Sequence, residues 1–246
     1  GGNSACDVAV ETSRVSTKTA ISWRRGYRII PKFLMGKPTD VFAIKMNFLP
    51  IFLRNLLAGF IAYINNGSNK IYGLPEPDHK FGATHPTINS ELLYKIRHGK
   101  IKPRVEIDRF EGKKVFFKDK SKEDFDVVIA CTGFVLAHPF FDKKFLNYSE
   151  GPVPLYLKMF HPTYDNLYFI GMFQPLGCIW PGAEQQSKLA ALALKGSWKR
   201  PANIDVLCER EVTHPHMKQI NTNRHRITVD FHRFIRDLKT QIKKIA

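Results

Sequence analysis

Gly1-Gly2-Asn3-Ser4-Ala5-Cys6-Asp7 combines residue types suited to one task, the cradling of a phosphate. Small residues let an anion approach the backbone. The free N–H groups of a helix's first turn then face it with the positive end of the helix dipole. Written on the G-x-G-x-x-G/A dinucleotide pattern, Gly2 takes the second glycine and Ala5 the third small position. The expectation is that the first glycine and its strand lie before residue 1. About 20 residues beyond such a turn, the end of the next strand selects the nicotinamide nucleotide, a carboxylate for the ribose 2′-hydroxyl of NAD or an arginine for the 2′-phosphate of NADP. Here the chain reads Ser22-Trp23-Arg24-Arg25-Gly26. It offers no carboxylate, and two guanidiniums can hold a phosphate by charge-assisted hydrogen bonds. A solvated basic turn is the alternative; given the glycine turn upstream, NADP(H) is favoured.

Other reactive residue types form no constellation. Asp7 reads as a charge at a helix start, and His85, alone before a proline, as a packed loop residue. His214-Pro215-His216 lacks the i, i+4 spacing of a helical zinc site, so no metal is expected. The four cysteines, Cys6, Cys131, Cys178 and Cys208, show no C-x-x-C pairing, which fits a reduced, cytoplasmic protein.

These residues need β-α-β units to position them. Ser4 to Glu11 or Thr12 reads as a short helix with Ser4 as its N-cap and Asp7 in its first turn. Lys18 to Trp23 is a β-prone run. Gly36 to Asp40 reads as a loop. Phe48 to Ile64 is apolar with helical character, and the stretch from Val41 to Ile64 is interrupted by Lys45, Asn47, Pro50, Arg54 and Asn55, so buried or groove-lining helices are expected rather than a membrane span. Asn89 can cap a helix with Glu91 in its first turn, Leu92, Leu93 and Ile96 on its apolar face and Gly99 as its stop. Val105 to Phe110 and Lys113 to Lys118 form a hairpin around Glu111-Gly112. Two continuous apolar runs, Phe125 to Ala130 and Leu167 to Ile170, read as strands buried on both faces. The first ends in Cys131-Thr132-Gly133, where α/β sheets bind ligands at the carboxyl ends of strands. An alanine- and leucine-rich helix starts near Pro181 or Gly182 and closes at Gly196.

The composition is that of a soluble globular protein, 43% hydrophobic and 24% charged over 246 residues. The net charge of +16 comes from Lys and Arg spread along the chain. With no nucleic-acid module in view, DNA or RNA is disfavoured, and an anionic membrane, a site for polyanionic cofactors or simple solubility remain as readings of that charge.

Taken together, Gly-Asn-Ser-Ala-Cys-Asp at residues 2–7, Trp23-Arg24-Arg25-Gly26, His85-Pro86-Thr87-Ile88-Asn89, Asp126 to Phe134 and Leu167 to Gln186 resemble the flavin-containing monooxygenases. Baeyer–Villiger monooxygenases share the architecture, but Gln174-Pro175-Leu176-Gly177 is more similar to the former. The resemblance implies a Rossmann-like fold with two dinucleotide sites, residues 1–134 as an NADPH domain and 135–246 as the C-terminal part of an FAD domain. The N-terminal FAD-binding part is expected to be absent. It further implies that the NADPH pyrophosphate sits at Gly2, Asn3, Ser4 and Ala5, and the 2′-phosphate near Trp23, Arg24 and Arg25. Thr132-Gly133 would be a crossover near both cofactors, and Gln174 would face the flavin with the helix of Glu184 to Gln186 behind it. The implied reaction is reduction of FAD by NADPH, capture of O2 as a C4a-hydroperoxyflavin, and oxygenation of an amine or thioether. No protein acid, base or nucleophile is nominated. Homodimerisation is left open, as is a fragment that binds NADP(H) without independent catalysis.

Overall fold

A computed structural model describes residues 1–46, 48–142, 144–145, 152–175, 177–217 and 225–244; Asn47 and Leu176 of the stretches above lie outside them. The chain divides into two compact units, Gly1–Phe134 and Val135–Ala246.

In the first unit, helix α1 (Asn3–Val15) leads into strand β1 (Thr19–Trp23), and β1 pairs in parallel with β6 (Ile101–Val105) in the register Thr19↔Ile101 to Trp23↔Val105. Helix α4 (Leu92–Arg97) supplies the crossover before β6. Cys6, Ala9 and Val10 of α1, Ile21 and Trp23 of β1, and Leu92 and Ile101 bury together with Ile29 and Leu74 in one core. This is helix-on-parallel-sheet packing, the α/β arrangement expected from the sequence.

Between β1 and α4 lie β2 (Ile29–Ile30), the short hairpin β3 (Phe33–Leu34) and β4 (Lys37–Pro38), α2 (Thr39–Lys45), α3 (Ile51–Asn66), a 3-10 turn (Asn69–Tyr72) and β5 (Thr87–Ile88). β2 pairs in parallel with β5. Gly36 to Asp40 is therefore not simply a loop: Met35 and Gly36, both at positive φ, make the hairpin turn, and Thr39 opens α2. α3 also departs from expectation, because Phe52, Leu56, Phe60 and Tyr63 form an exposed stripe instead of a buried or groove-lining face. Despite Arg54 and Asn55 the helix carries apolar residues on more than one face, so packing one face leaves another uncovered. No helix among the described residues is long and apolar enough to cross a membrane.

After β6 comes a three-stranded antiparallel sheet of β7 (Ile107–Glu111), β8 (Lys114–Phe117) and β9 (Lys122–Asp124). Gly112, at φ +58°, turns the first hairpin. The apolar run that follows forms no strand. Val127, Val128 and Ile129 are exposed, Val127 by 73%. A parallel strand buried on both faces needs a hydrogen-bonded neighbour, and among the described residues β1 pairs with β6 alone.

The second unit is built on α5 (Trp180–Leu194), α6 (Ile204–Thr213) and α7 (Phe231–Lys243), with β10 (Gln174–Pro175) paired in parallel to β11 (Thr228–Val229). Phe173, Leu189, Cys208, Val229, Phe234 and Leu238 lie in its main core. Pro181 falls in the first turn of α5, and Gly196, at φ +77°, follows its end, as read from the sequence. Leu167 to Ile170 does not form the expected strand; only Tyr168 makes an isolated bridge, to Phe160.

Candidate nucleotide site

The start of α1 is shaped by Gly2. At φ +97° it occupies a conformation that side chains rarely adopt, and a Cβ placed there would meet nothing within 4 Å, so the space beside it is open. Gly2 is also the N-cap, in place of the expected Ser4, and it carries no side chain to close the helix end. The N-cap therefore lies two residues earlier than read, which leaves Asp7 outside the first turn, and the helix runs on to Val15. The first helical bond runs from Cys6 N–H to Gly2 C=O at 3.1 Å. The amides of Asn3, Ser4 and Ala5 precede it and have no intrahelical acceptor, which gives three donors at the positive end of the dipole.

The side chains around these amides divide the work. Asn3 accepts from Ile88 N–H at 2.6 Å and donates to Pro86 C=O at 3.3 Å, and so straps the helix start to β5. Ser4 is exposed and its hydroxyl is unengaged. Ala5 and Cys6 face the core. Burial pushes the Cys6 thiol up to about 12, and that of Cys208 up to about 11, so neither is a nucleophile near neutral pH.

The carboxyl end of β1 lies against this turn. Gly1 N–H donates to Ser22 C=O at 3.1 Å, and a Cβ on Gly1 would stand 2.6 Å from the Trp23 ring. Gly2 to Ala5 and Trp23 to Arg25 thus meet at one end of the β1–β6 pair. Trp23 is only 2% exposed and belongs to the core, where its ring meets Tyr27 edge-on with centroids 5.5 Å apart. Arg24 is exposed and Arg25 half-buried, its guanidinium lying over the Tyr27 ring at 5.3 Å; neither forms an ion pair. Arg25 Nε also donates to Tyr27 Oη at 3.4 Å, and its charge acts on the Asp78 carboxylate, so Arg24 is the freer of the two. The two guanidiniums beside three free amides make a donor set for an anion with two separated charged groups.

Asn89 and Gly26 hold this end in place through contacts that local sequence signals did not reveal. Asn89 donates from Nδ2 to Asp7 Oδ1 at 2.9 Å, and its Oδ1 accepts from the N–H groups of Glu91 and Leu92 at 2.9 and 2.7 Å. One buried amide thus holds the N–H groups at the start of α4, as the sequence suggested, and ties it to α1, but Glu91 is itself the N-cap of α4 and not a first-turn residue as expected. Gly26 matters through close approach: a Cβ there would lie 2.3 Å from the Glu76 backbone. No sequence signal marks that contact.

Cys131, the residue before Thr132, lies within electrostatic reach of Gly1 and Cys6 at the start of α1. Thr132 and Gly133 are exposed, with Gly133 at φ +92°, and they follow Cys131, which packs on the first unit's core. They do not end a strand, because that strand is not formed. Gln174 belongs to the second unit, where its backbone N–H donates to Ile227 C=O at 2.8 Å and its side chain is partly exposed with no hydrogen bond. His85 is buried, in keeping with a packed loop residue. Among the described residues no group of three or more His, Cys, Asp or Glu could hold a metal ion.

Comparison with known proteins agrees with the resemblance. A family model described as flavin-binding monooxygenase-like matches residues 1–245. Flavin-containing monooxygenase 5 of Rattus norvegicus is 32% identical over 243 residues, covering 94% of this chain and 45% of that protein. Flavin-containing monooxygenase 5 of Homo sapiens is 30% identical over the same length. Dimethylaniline monooxygenase [N-oxide-forming] 2 of Oryctolagus cuniculus is 31% identical over 220 residues, or 85% of this chain and 40% of that protein. The chain spans about half the length of the curated relatives it matches. Membership implies FAD and NADPH as cofactors. The chain belongs to the flavin-binding monooxygenase-like family.

Proposed function

We propose that the first unit binds NADP(H), with the pyrophosphate on the amides of Asn3, Ser4 and Ala5 and the 2′-phosphate on Arg24 and Arg25. The observation that carries this is the meeting of an uncapped helix start with two arginines that form no salt bridge, at the end of β1. Gly2 leaves room for the phosphate's approach, and a Cβ at that position would project into the same space. Trp23 acts from beneath, as packing that fixes the strand end from which the arginines project. For FAD, the free amide of Gln174 offers one donor and one acceptor to a flavin edge.

The function follows as NADPH- and O2-dependent oxygenation of a soft nitrogen or sulfur nucleophile by a flavin monooxygenase. The chemistry belongs to the bound nucleotides and dioxygen: two electrons come from NADPH, one oxygen atom goes to the substrate and the other leaves as water. The chain's own part is to bind and orient. The α1 amides hold the pyrophosphate, the arginines select the 2′-phosphate, and Gln174 presents its amide to the flavin. A relative named for N-oxide formation on dimethylaniline supports an amine as substrate.

A second reading, nucleotide binding without turnover, draws on the chain's matching only about half of its relatives' length. Incubation of the chain with FAD, NADPH, O2 and N,N-dimethylaniline separates the two. Oxygenation predicts N-oxide in step with NADPH consumption; the second reading predicts NADPH binding and no N-oxide. Absence of NADPH binding would refute both.

A further inference from the structure

Helix α5 turns four positions toward the core of the second unit, Gly182, Gln186, Leu189 and Ala190. Three are small or apolar. The fourth is an amide that is fully buried, a place where an apolar side chain of similar size costs less to bury. Gln186 is retained there with two bonds to backbone. Its Oε1 accepts from Gly171 N–H at 2.8 Å, and its Nε2 donates to Leu157 C=O at 3.0 Å.

Both of its partners sit on unusual backbone. Leu157 and Lys158 are consecutive non-glycine residues at φ +53° and +55°, a pairing that persists only where the surroundings over-determine it. Gln186 holds this turn at the Leu157 carbonyl, and Glu211 holds it at the other end. Glu211 Oε1 accepts from Leu157 N–H at 3.2 Å, and its Oε2 lies 3.3 Å from Lys158 Nζ in a largely buried ion pair. Gly171, at φ +79°, is three residues before Gln174. One helical turn before Gln186, Gly182 admits the Phe173 ring so closely that a Cβ would fall 2.3 Å from it. The 171–174 segment is thus held against α5 at two points, one of them anchored onward to a rigid turn.

We infer that Gln186 is a positioning residue for Gln174: it fixes the Gly171–Gln174 segment to the Leu157–Lys158 turn and so sets where the Gln174 amide stands toward the flavin. The inference rests on the reading that Gln174 faces FAD. Gln186 itself, fully buried, touches no ligand.

The test is a double-mutant cycle on FAD affinity, read by quenching of flavin fluorescence with the full chain, using Gln186→Met, Gln174→Ala and the double variant. Gln186→Met keeps the volume and removes both bonds. Hydrogen exchange of the peptide spanning 168–175 serves as a readout that needs no flavin. Gln186→Met is expected to raise that exchange at least tenfold while α5 stays protected, and to weaken FAD about tenfold. In the Gln174→Ala background the same change is expected to cost nothing further. Additive losses would overturn the inference, since Gln186 would then act on the flavin site by another route. Unchanged exchange in Gln186→Met would overturn it as well. If Gln186→Met does not fold, Gln186→Glu takes its place: it keeps an acceptor for Gly171 and loses the donor to Leu157, and the same two results decide. Failure of the unmutated chain to bind FAD would instead refute the reading of Gln174, and the inference with it.

Discussion

Replacement of Asn89 by alanine is the sharpest probe of how the nucleotide end is assembled. The Asn89 side chain is almost fully enclosed, its Oδ1 accepts two amides at the start of α4, and its Nδ2 reaches Asp7 on α1. Loss of a helix-start acceptor of this kind costs about 1 kcal/mol. The Leu92 N–H is buried and would have no substitute acceptor, which adds roughly another 1 kcal/mol. The bond to Asp7 adds little, because that carboxylate is half exposed and water can replace the lost donor. The sum, about 2 kcal/mol, corresponds to an approximately 30-fold rise in hydrogen exchange for the amides of 93–97, if local opening governs it. Asn89→Asp separates the two bonds. It keeps both acceptors but sets a second carboxylate against Asp7, so it should be destabilised in a way that Asp7→Asn relieves. Exchange in Asn89→Ala within threefold of the unmutated chain would refute the view that this one amide holds α4 to α1.

Two further outcomes are expected. Gly26→Ala should cost about 3 kcal/mol or more and reduce soluble yield, because the added methyl meets Glu76 backbone rather than a movable side chain; a urea midpoint unchanged from the wild type would contradict it. Acid should weaken the second unit in a defined window. His161 Nδ1 accepts from the N–H groups of Thr163 and Tyr164, and burial, then the Arg200 charge, lowers its pKa in the folded chain. The unfolded imidazole, near 6.5, therefore takes up protons first, so stability is complete above about pH 6.5 and falls as pH drops toward the folded value. His216, lowered mainly by burial, acts in the same direction. Urea midpoints from pH 7.5 to 5.5 should fall with pH, and less so in His161→Gln; an equal fall in that variant would assign the effect elsewhere.

Much of the first unit was legible in the sequence because its signals are local. A glycine at a helix start, an asparagine before a helix and a hairpin turn each act within a few residues of where they stand. The apolar runs at 125–130 and 167–170 misled for the opposite reason. A buried strand is defined by its neighbours, and among the described residues the run around Val128 pairs with none. The same dependence hid β6, whose Ile101-Lys102-Pro103-Arg104-Val105 carries no strong strand pattern and is held by its pairing with β1. In the second unit, α7 was readable in principle from Phe231, Phe234, Ile235 and Leu238 at helical spacing, but the many charges between them masked the stripe. Gln186 also left a trace, as the one polar residue on the apolar face of α5. What no pattern could supply is the contact of Gly26 with Glu76, since it joins residues 50 apart.

The central claim is that Arg24 and Arg25 read a 2′-phosphate beside the amides of α1. Calorimetric titration of the chain with 2′,5′-ADP and with 5′-ADP isolates that phosphate from the rest of the nucleotide. A charge-assisted hydrogen bond contributes about 1.5–3 kcal/mol, so 2′,5′-ADP should bind at least about tenfold more tightly, and the preference should disappear in Arg24→Ala/Arg25→Ala. Equal affinity for the two ligands, or a preference that survives loss of both arginines, would contradict the account.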